Sequence, residues 1–361
     1  MTLALYLPRL PMGGIERATV TLANHWAAKG RPVTLLLDRA EGALLDAVSD
    51  DVPVEVLGAS RTLWALPKLA SWLRRNRPAV LHSALPHNSA VALVAGLRSS
   101  TRITVAEHSL LADKIRIDPG LARIVPVMRR LYPAAAAVLA ASDAVAGDMK
   151  TILGLTRPIS VVGNPIVPDG FDPARLPKPL GAGMRADAPA PAFIAIGRMA
   201  PVKDFPTLLR AFRYVLDRRP ARLTILGDGP ERASLAALAA ELDLGTSLNM
   251  PGVTPNPWPY IAHAAALAVS SVSEGFGNMV VEAMACGTPV ISTRCGAPAD
   301  LLQGGKLGIL VDVGDAEALG RAMLAALDQP VKRAALRKAA SAFTVSAVAA
   351  RYEAALNLGW S

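Results

Sequence analysis

Apolar residues fall along this chain in two series of short runs, each too brief for a helix and each parted from the next by a longer stretch with helical spacing. The first series lies at 3–7, 33–37, 54–57, 80–82, 103–105, 137–140 and 160–162. The second lies at 192–196, 222–226, 248–250, 267–269, 290–292 and 308–310. Short uninterrupted runs bounded by glycine and polar residues predict strands buried on both faces, and the helical stretches between them predict crossovers. Each series reads as a doubly wound parallel sheet, and the chain as α/β with two Rossmann-like domains.

Residues 165–191 part the two series, with prolines at 165, 168, 173, 177, 179, 189 and 191 and the small-residue run Gly181-Ala182-Gly183-Met184. That is linker chemistry. The expected division is a first domain over 1–166, a linker over 167–191 and a second domain over 192–345, with a closing helical stretch beyond the last strand at 346–361. A chain of 361 residues is long for one compact core, in keeping with two.

Composition narrows the class. Hydrophobic residues make up 52% and charged residues 19%, so the chain folds rather than staying disordered. Cys286 and Cys295 offer neither a disulfide framework nor a metal-ligand pattern. No apolar run reaches the roughly 18 residues of a membrane-spanning helix, and the N-terminus reads as a first buried strand rather than a signal peptide. The cytoplasm is the expected compartment.

A net charge of +9, with basic residues gathered at Arg74, Arg75, Arg77, Arg98, Arg102, Lys114, Arg116, Arg123, Arg129 and Arg130, favours anionic partners for the first half. Nucleic acid is disfavoured, because aromatic residues are few and no nucleic-acid module is recognisable. The stretch from Trp64 to Arg75, with Trp72 inside it, joins apolar and basic residues as interfacial helices do, and 121–131 repeats the theme. Peripheral contact with the anionic inner face of a cell membrane is one expectation; two amphipathic helices covering a sheet is the other.

The densest chemistry lies in Ser273-Glu274-Gly275-Phe276-Gly277-Asn278-Met279-Val280-Val281-Glu282-Ala283-Met284-Ala285. A strand precedes it, and its helix is stopped by Gly287 and Pro289. Strand, glycine turn and helix start bring backbone N–H groups and a positive dipole end to the mouth of a parallel sheet, a setting for a diphosphate. Glu274 sits in the turn and can reach a polar ligand. Glu282, about one helical turn in, can accept hydrogen bonds from vicinal hydroxyls. At a second strand end, Gly197-Arg198-Met199-Ala200-Pro201-Val202-Lys203-Asp204 allows a sharp turn at Gly197 and brings two cations, Arg198 and Lys203, to the same mouth. Leu226-Gly227-Asp228-Gly229-Pro230 reads mainly as architecture. Gly13 and Gly14 follow the first strand and open a helix whose amides can approach phosphates. No Asp-x-Asp or histidine cluster calls for a metal, and no cofactor is expected.

The motif from Ser273 to Val290 closely resembles the nucleotide-sugar site of retaining glycosyltransferases of the GT-B class, family four. The resemblance covers nearly the whole chain and is sharpest over 192–300. It implies two Rossmann-like domains facing across a cleft, with the closing segment packed back on the first, and transfer of a hexose or N-acetylhexosamine from a UDP-sugar to a glycan or lipid-linked acceptor hydroxyl. Glu274 then faces the donor sugar and Glu282 the ribose. Phe276, Gly277, Asn278, Met279 and Val280 bind the donor, Val253 holds the base through its backbone, and Arg198 and Lys203 meet the departing diphosphate. His108 lines the cleft beside the donor sugar, and Asn164 is a hinge or cleft-edge residue. Asp204 stands where the family usually has Gly. The resemblance leaves open a nucleotide-sugar epimerase of the same fold and a non-catalytic sugar-nucleotide-binding subunit. A nicotinamide-dependent dehydrogenase is disfavoured, because no G-x-G-x-x-G opens a helix with an acidic residue some 20 positions on.

Overall fold

Each run predicted as a strand forms one in the computed structural model, which describes residues 1–179, 190–329 and 332–360. The small-residue run at 181–184 lies outside the described residues. The chain divides into two compact units, Met1–Asp169 with Phe343–Ser361, and Gly170–Ala342.

In the first unit, β1 (Leu3–Leu7), β2 (Val33–Leu37), β3 (Val54–Val56), β4 (Val80–Ser83), β5 (Arg102–Glu107), β6 (Ala137–Ala140) and β7 (Ser160–Val161) form one parallel sheet, in the order β3-β2-β1-β4-β5-β6-β7. The crossovers are α1 (Gly14–Ala28), α2 (Thr62–Asn76), α3 (Pro86–Gly96), α4 (Leu111–Ile117), α5 (Val125–Leu131) and α6 (Asp143–Leu153). Side chains alternate between two apolar layers. Leu3, Leu5 and Leu7 pack with Trp26 on one face of the sheet, whereas Ala4 and Tyr6 pack with Leu69 and Trp72 on the other. Burial on both faces is why β1 shows no polar alternation.

In the second unit, β8 (Ala192–Ile196), β9 (Arg222–Leu226), β10 (Leu248–Gly252), β11 (Ala266–Val269), β12 (Val290–Thr293) and β13 (Ile309–Val311) form a parallel sheet in the order β10-β9-β8-β11-β12-β13. Its helices are α7 (Phe205–Leu216), α8 (Arg232–Glu241), α9 (Trp258–His263), α10 (Asn278–Cys286), α11 (Ala297–Leu301), α12 (Ala316–Asp328) and α13 (Arg333–Ala340). In both sheets the strand order reverses once, between β1 and β4 and between β8 and β11. Ligands of open α/β sheets bind outside the carboxyl ends of strands at such reversals.

The closing helix, α14 (Val345–Leu356), belongs to the first unit. Thr344 caps it by accepting from the Ala347 amide, and Tyr352 meets Trp26 edge-on at 6.4 Å while Trp26 Nε1 donates to Glu353 Oε1 at 2.8 Å. The chain leaves this unit after Asp169 rather than after 166: Val167 pairs with Thr344, and Asp169 accepts from the Ser346 amide at 3.1 Å and its hydroxyl at 2.7 Å.

The interfacial stripe expected along α2 is not formed as such. Trp64 is exposed, but Trp72 is buried and donates from Nε1 to Glu55 Oε2 at 2.6 Å. The two indoles are eight residues apart, and the apolar layer beneath α2 claims the second. The stretch 121–131 is likewise no single interfacial helix. It breaks into a 3-10 turn, Pro119–Arg123, with Leu121 buried, and α5, whose Val125 and Met128 lie in the core. Among the described residues no helix is long and apolar enough to cross a membrane.

Candidate functional site

The two cation- and carboxylate-bearing motifs of the second unit flank its strand-order reversal, one after β8 and one after β11. Lys203 Nζ donates to Glu274 Oε1 at 2.5 Å, joining positions 71 residues apart. Both side chains are largely shielded, at 16% and 11% exposure, so solvent screens this pair much less than a surface pair. Gly197 contributes here for a reason other than the sharp turn expected of it. Its φ is not in the left-handed region, but a Cβ there would lie 3.0 Å from Lys203 Cε, so the glycine clears a path for the lysine stem over the strand end.

Arg198, two residues past the end of β8, stands exposed with no protein partner among the described residues. Its loop is clamped from below: Met199 N donates to Asp228 O at 2.9 Å and Glu231 N to Met199 O at 3.1 Å. Gly227, at φ +143°, passes so close that a Cβ would lie 1.9 Å from Gly197 O, and one on Gly229 would lie 2.3 Å from Met199 O. Asp204, at φ +46°, explains the departure from Gly. Aspartate tolerates the left-handed region, and its side chain accepts from Thr207 N to cap α7. Val253 follows β10 and is exposed.

After Glu274 the chain turns through Gly277, at φ +85°, into α10, and leaves it through Gly287, at φ +74°. Phe276, Met279 and Val280 are buried, and the Val280 amide already donates to Gly277 O at 2.9 Å. Asn278 opens the helix; Glu282 is half-buried on it.

In the first unit Gly13 caps α1 and Gly14 begins it. A Cβ on Gly13 would lie 2.1 Å from Glu16 Oε2, so the Glu16 carboxylate folds over this helix start, where phosphates were expected. Burial raises the Glu16 carboxyl above its ordinary range, against its own backbone hydrogen bond and the charges of Lys114 and Arg9. An anion arriving at these amides must displace it.

His108, at the end of β5, is buried with both ring nitrogens engaged. Nδ1 lies 2.9 Å from Asn164 Oδ1 and Nε2 3.4 Å from the Tyr352 hydroxyl. Burial pushes His108 down to about 4, and the Asn164 hydrogen bond opposes it. The ring is neutral at pH 7. Since Oδ1 can only accept, Nδ1 carries the proton and Nε2 accepts from Tyr352. Asn164, expected at a hinge or cleft edge, is buried against this ring. Behind it His82, pushed down to about 3 by burial and by His108, binds Thr104 Oγ1 at 3.0 Å and meets Tyr352 edge-on.

One feature of this unit escaped the sequence. A crevice of about 500 Å³ opens beside the β1/β4 reversal, walled by Pro8, Leu85, Pro86, Ile117 and Leu121, with His87, Asn88, Lys114 and Asp118 as polar members. Asn88 is buried and reaches Asp38 at 3.4 Å, which also accepts from Tyr6 at 2.7 Å. Lys114 is anchored on the fully buried Glu107 at 3.1 Å. Runs of apolar residues reveal strands but not strand order, so the linear sequence carried no signal for this place.

Two compact units, each built on a doubly wound parallel sheet, are the architecture of the GT-B class. The chain belongs to the glycosyltransferases of this class, family four: the description Glycosyltransferase Family 4 matches residues 12–169, and Glycosyl transferases group 1 matches residues 185–343. It is similar to the lipopolysaccharide core biosynthesis glycosyltransferase LpsE of Rhizobium meliloti (strain 1021), 29% identical over 326 residues, 86% of this chain and 84% of that protein. Among solved structures it resembles Anabaena Alr3699/HepE in complex with UDP, with TM-score 0.79 and 19% identity over 99% of this chain and 100% of that one. It also resembles the lipopolysaccharide outer core galactosyltransferase WaaB in its apo form, with TM-score 0.77 and 20% identity over 99% of each chain. At these identities the structural likenesses speak for the fold.

Proposed function

We propose that this chain moves a hexose or N-acetylhexosamine from a UDP-sugar to an acceptor hydroxyl of a lipid-linked or cell-envelope glycan, with retention and without a metal ion. The observation that carries the reading is the Lys203–Glu274 pair across the β8/β11 reversal, with Arg198 on the same edge. As the bond from the anomeric carbon to the diphosphate oxygen breaks, negative charge grows on the leaving group, and Arg198, Lys203 and the start of α10 meet it. The acceptor oxygen attacks from the same face, and its proton passes to the departing phosphate oxygen. Glu274, tied by Oε1 to a lysine, holds sugar hydroxyls and forms no glycosyl-enzyme. His108 takes part as a neutral group whose Nε2 exchanges the Tyr352 hydroxyl for a ligand. The first unit's crevice receives the acceptor, and its apolar walls favour one with a hydrocarbon portion.

Calorimetry with UDP tests the division of labour. Glu282→Gln, which leaves one acceptor oxygen where ribose hydroxyls need two, is expected to weaken UDP about tenfold. Ile117→Asp, on the exposed lip of the crevice, leaves UDP affinity unchanged and raises the acceptor KM. Undiminished UDP binding by the Glu282 variant removes the ribose assignment. Release of an epimerised UDP-sugar without acceptor replaces transfer by epimerisation.

A further inference from the structure

Glu274 is held through one oxygen only. Oε1 accepts from Lys203 Nζ at 2.5 Å and from Ser271 Oγ at 2.7 Å, and Oε2 has no partner among the described residues. Ser271 is 2% exposed, and its carbonyl is fixed by Thr293 Oγ1 at 2.6 Å. The neighbouring Ser270 donates from Oγ to the Lys203 carbonyl at 2.8 Å, and Val272 N donates to Val202 O at 2.8 Å. Buried hydroxyls from the ends of β11 and β12 thus lace together the two motifs that carry the lysine and the carboxylate.

We propose that Ser271 is the positioning residue of this site: it sets the plane of the Glu274 carboxylate and so aims Oε2 at the donor sugar. This rests on the reading of Glu274 as the residue facing that sugar. The terminal torsion of a glutamate is broad. A lysine ammonium does not fix it, because its three donors rotate and act on a carboxylate as a point charge. A hydroxyl on an immobile backbone does, because it adds a second direction to the same oxygen. With both protein donors on Oε1, Oε2 can only accept, so the sugar must present a hydroxyl or amide N–H there. Without Ser271 the carboxylate keeps its charge and its lysine but loses its orientation. The loss then falls on turnover while UDP, held elsewhere, binds as before.

The test compares wild type, Ser271→Ala, Ser271→Thr and Glu274→Gln. Each is assayed for UDP release from whichever of UDP-glucose, UDP-galactose and UDP-N-acetylglucosamine stabilises the wild type most against heat, and for UDP affinity by calorimetry. Ser271→Ala is expected to lose about 10- to 100-fold in kcat, the scale of one hydrogen bond to a charged group, with UDP affinity within about twofold. Ser271→Thr, which keeps the hydroxyl, returns most of the rate. Wild-type kcat in Ser271→Ala beside a crippled Glu274→Gln overturns this inference alone, as does loss of UDP affinity in parallel with kcat or failure of threonine to restore the rate. Wild-type turnover in both Ser271→Ala and Glu274→Gln, or no stabilisation by any of the three sugars, overturns the underlying reading of the site.

Discussion

Lys203→Ala is expected to lower kcat/KM about 100- to 1000-fold, roughly 3–4 kcal/mol of transition-state stabilisation, the scale for removing one preorganised group that meets developing charge. Two effects add in the same direction. The ammonium proposed to meet the leaving diphosphate is gone, and Glu274, only 11% exposed, loses its one cationic partner among the described residues. An unpaired carboxylate that well shielded repels the incoming diphosphate as well as failing to stabilise it. Arg198→Ala removes an exposed cation with no protein partner among the described residues, so it tests charge at the same edge without disturbing a pair. Kinetics with thermal melts separate catalysis from folding: a large fall in kcat/KM with a small change in Tm is expected for Arg198→Ala, and a larger Tm change for Lys203→Ala. Near-wild-type kcat/KM in both variants contradicts the placement of the leaving group.

The second large effect is on stability. Acidification from pH 7 to 5 is expected to destabilise the first unit steeply. His82 and His108 are buried and neutral, pushed down to about 3 and about 4, while in the unfolded chain each takes up its proton near 6.5. Between those limits the unfolded state binds more protons, so stability falls as pH falls, by up to about 1.4 kcal/mol per pH unit for each ring. Asp38, Asp148 and Glu16, whose carboxyls are raised chiefly by burial, act in the opposite sense. They bind protons more readily folded than unfolded, and they offset part of the loss as pH falls from their raised folded values to the ordinary carboxylate range. Hydrogen exchange of peptides from β4, β5 and α14, followed from pH 7 to 5 after correction for intrinsic rates, is expected to show protection lost first around these rings. Protection that stays flat over that window contradicts the neutral, buried state of both.

Much of this molecule is legible in its sequence because parallel strands buried on both faces leave uninterrupted apolar runs. The runs at 3–7, 33–37, 137–140, 192–196 and 222–226 match their strands residue for residue. The site of the second unit is legible for a related reason: its glycines and charges are packed into two short strand-end segments. Chemistry assembled by distant segments is not. The Thr293 hydroxyl reaches the Ser271 carbonyl 22 residues away, and the crevice beside β1 and β4 depends on strand order. Trp72 misled because an amphipathic pattern gives the apolar face of a helix but not what covers it; the sheet did. His108 was visible as a strand-end histidine, yet its partners, Asn164 and Tyr352, lie 56 and 244 residues away.

The most direct measurement is the anomeric configuration of the product. Wild-type protein, a UDP-sugar that it binds and a hydrocarbon-bearing glycan acceptor are combined in excess EDTA, and the new glycosidic linkage is read by proton NMR before any mutarotation of free sugar can confuse it. The account predicts turnover undiminished by EDTA and a product linkage of the same anomeric configuration as the donor. An inverted linkage, or activity that appears only with added manganese or magnesium, contradicts it.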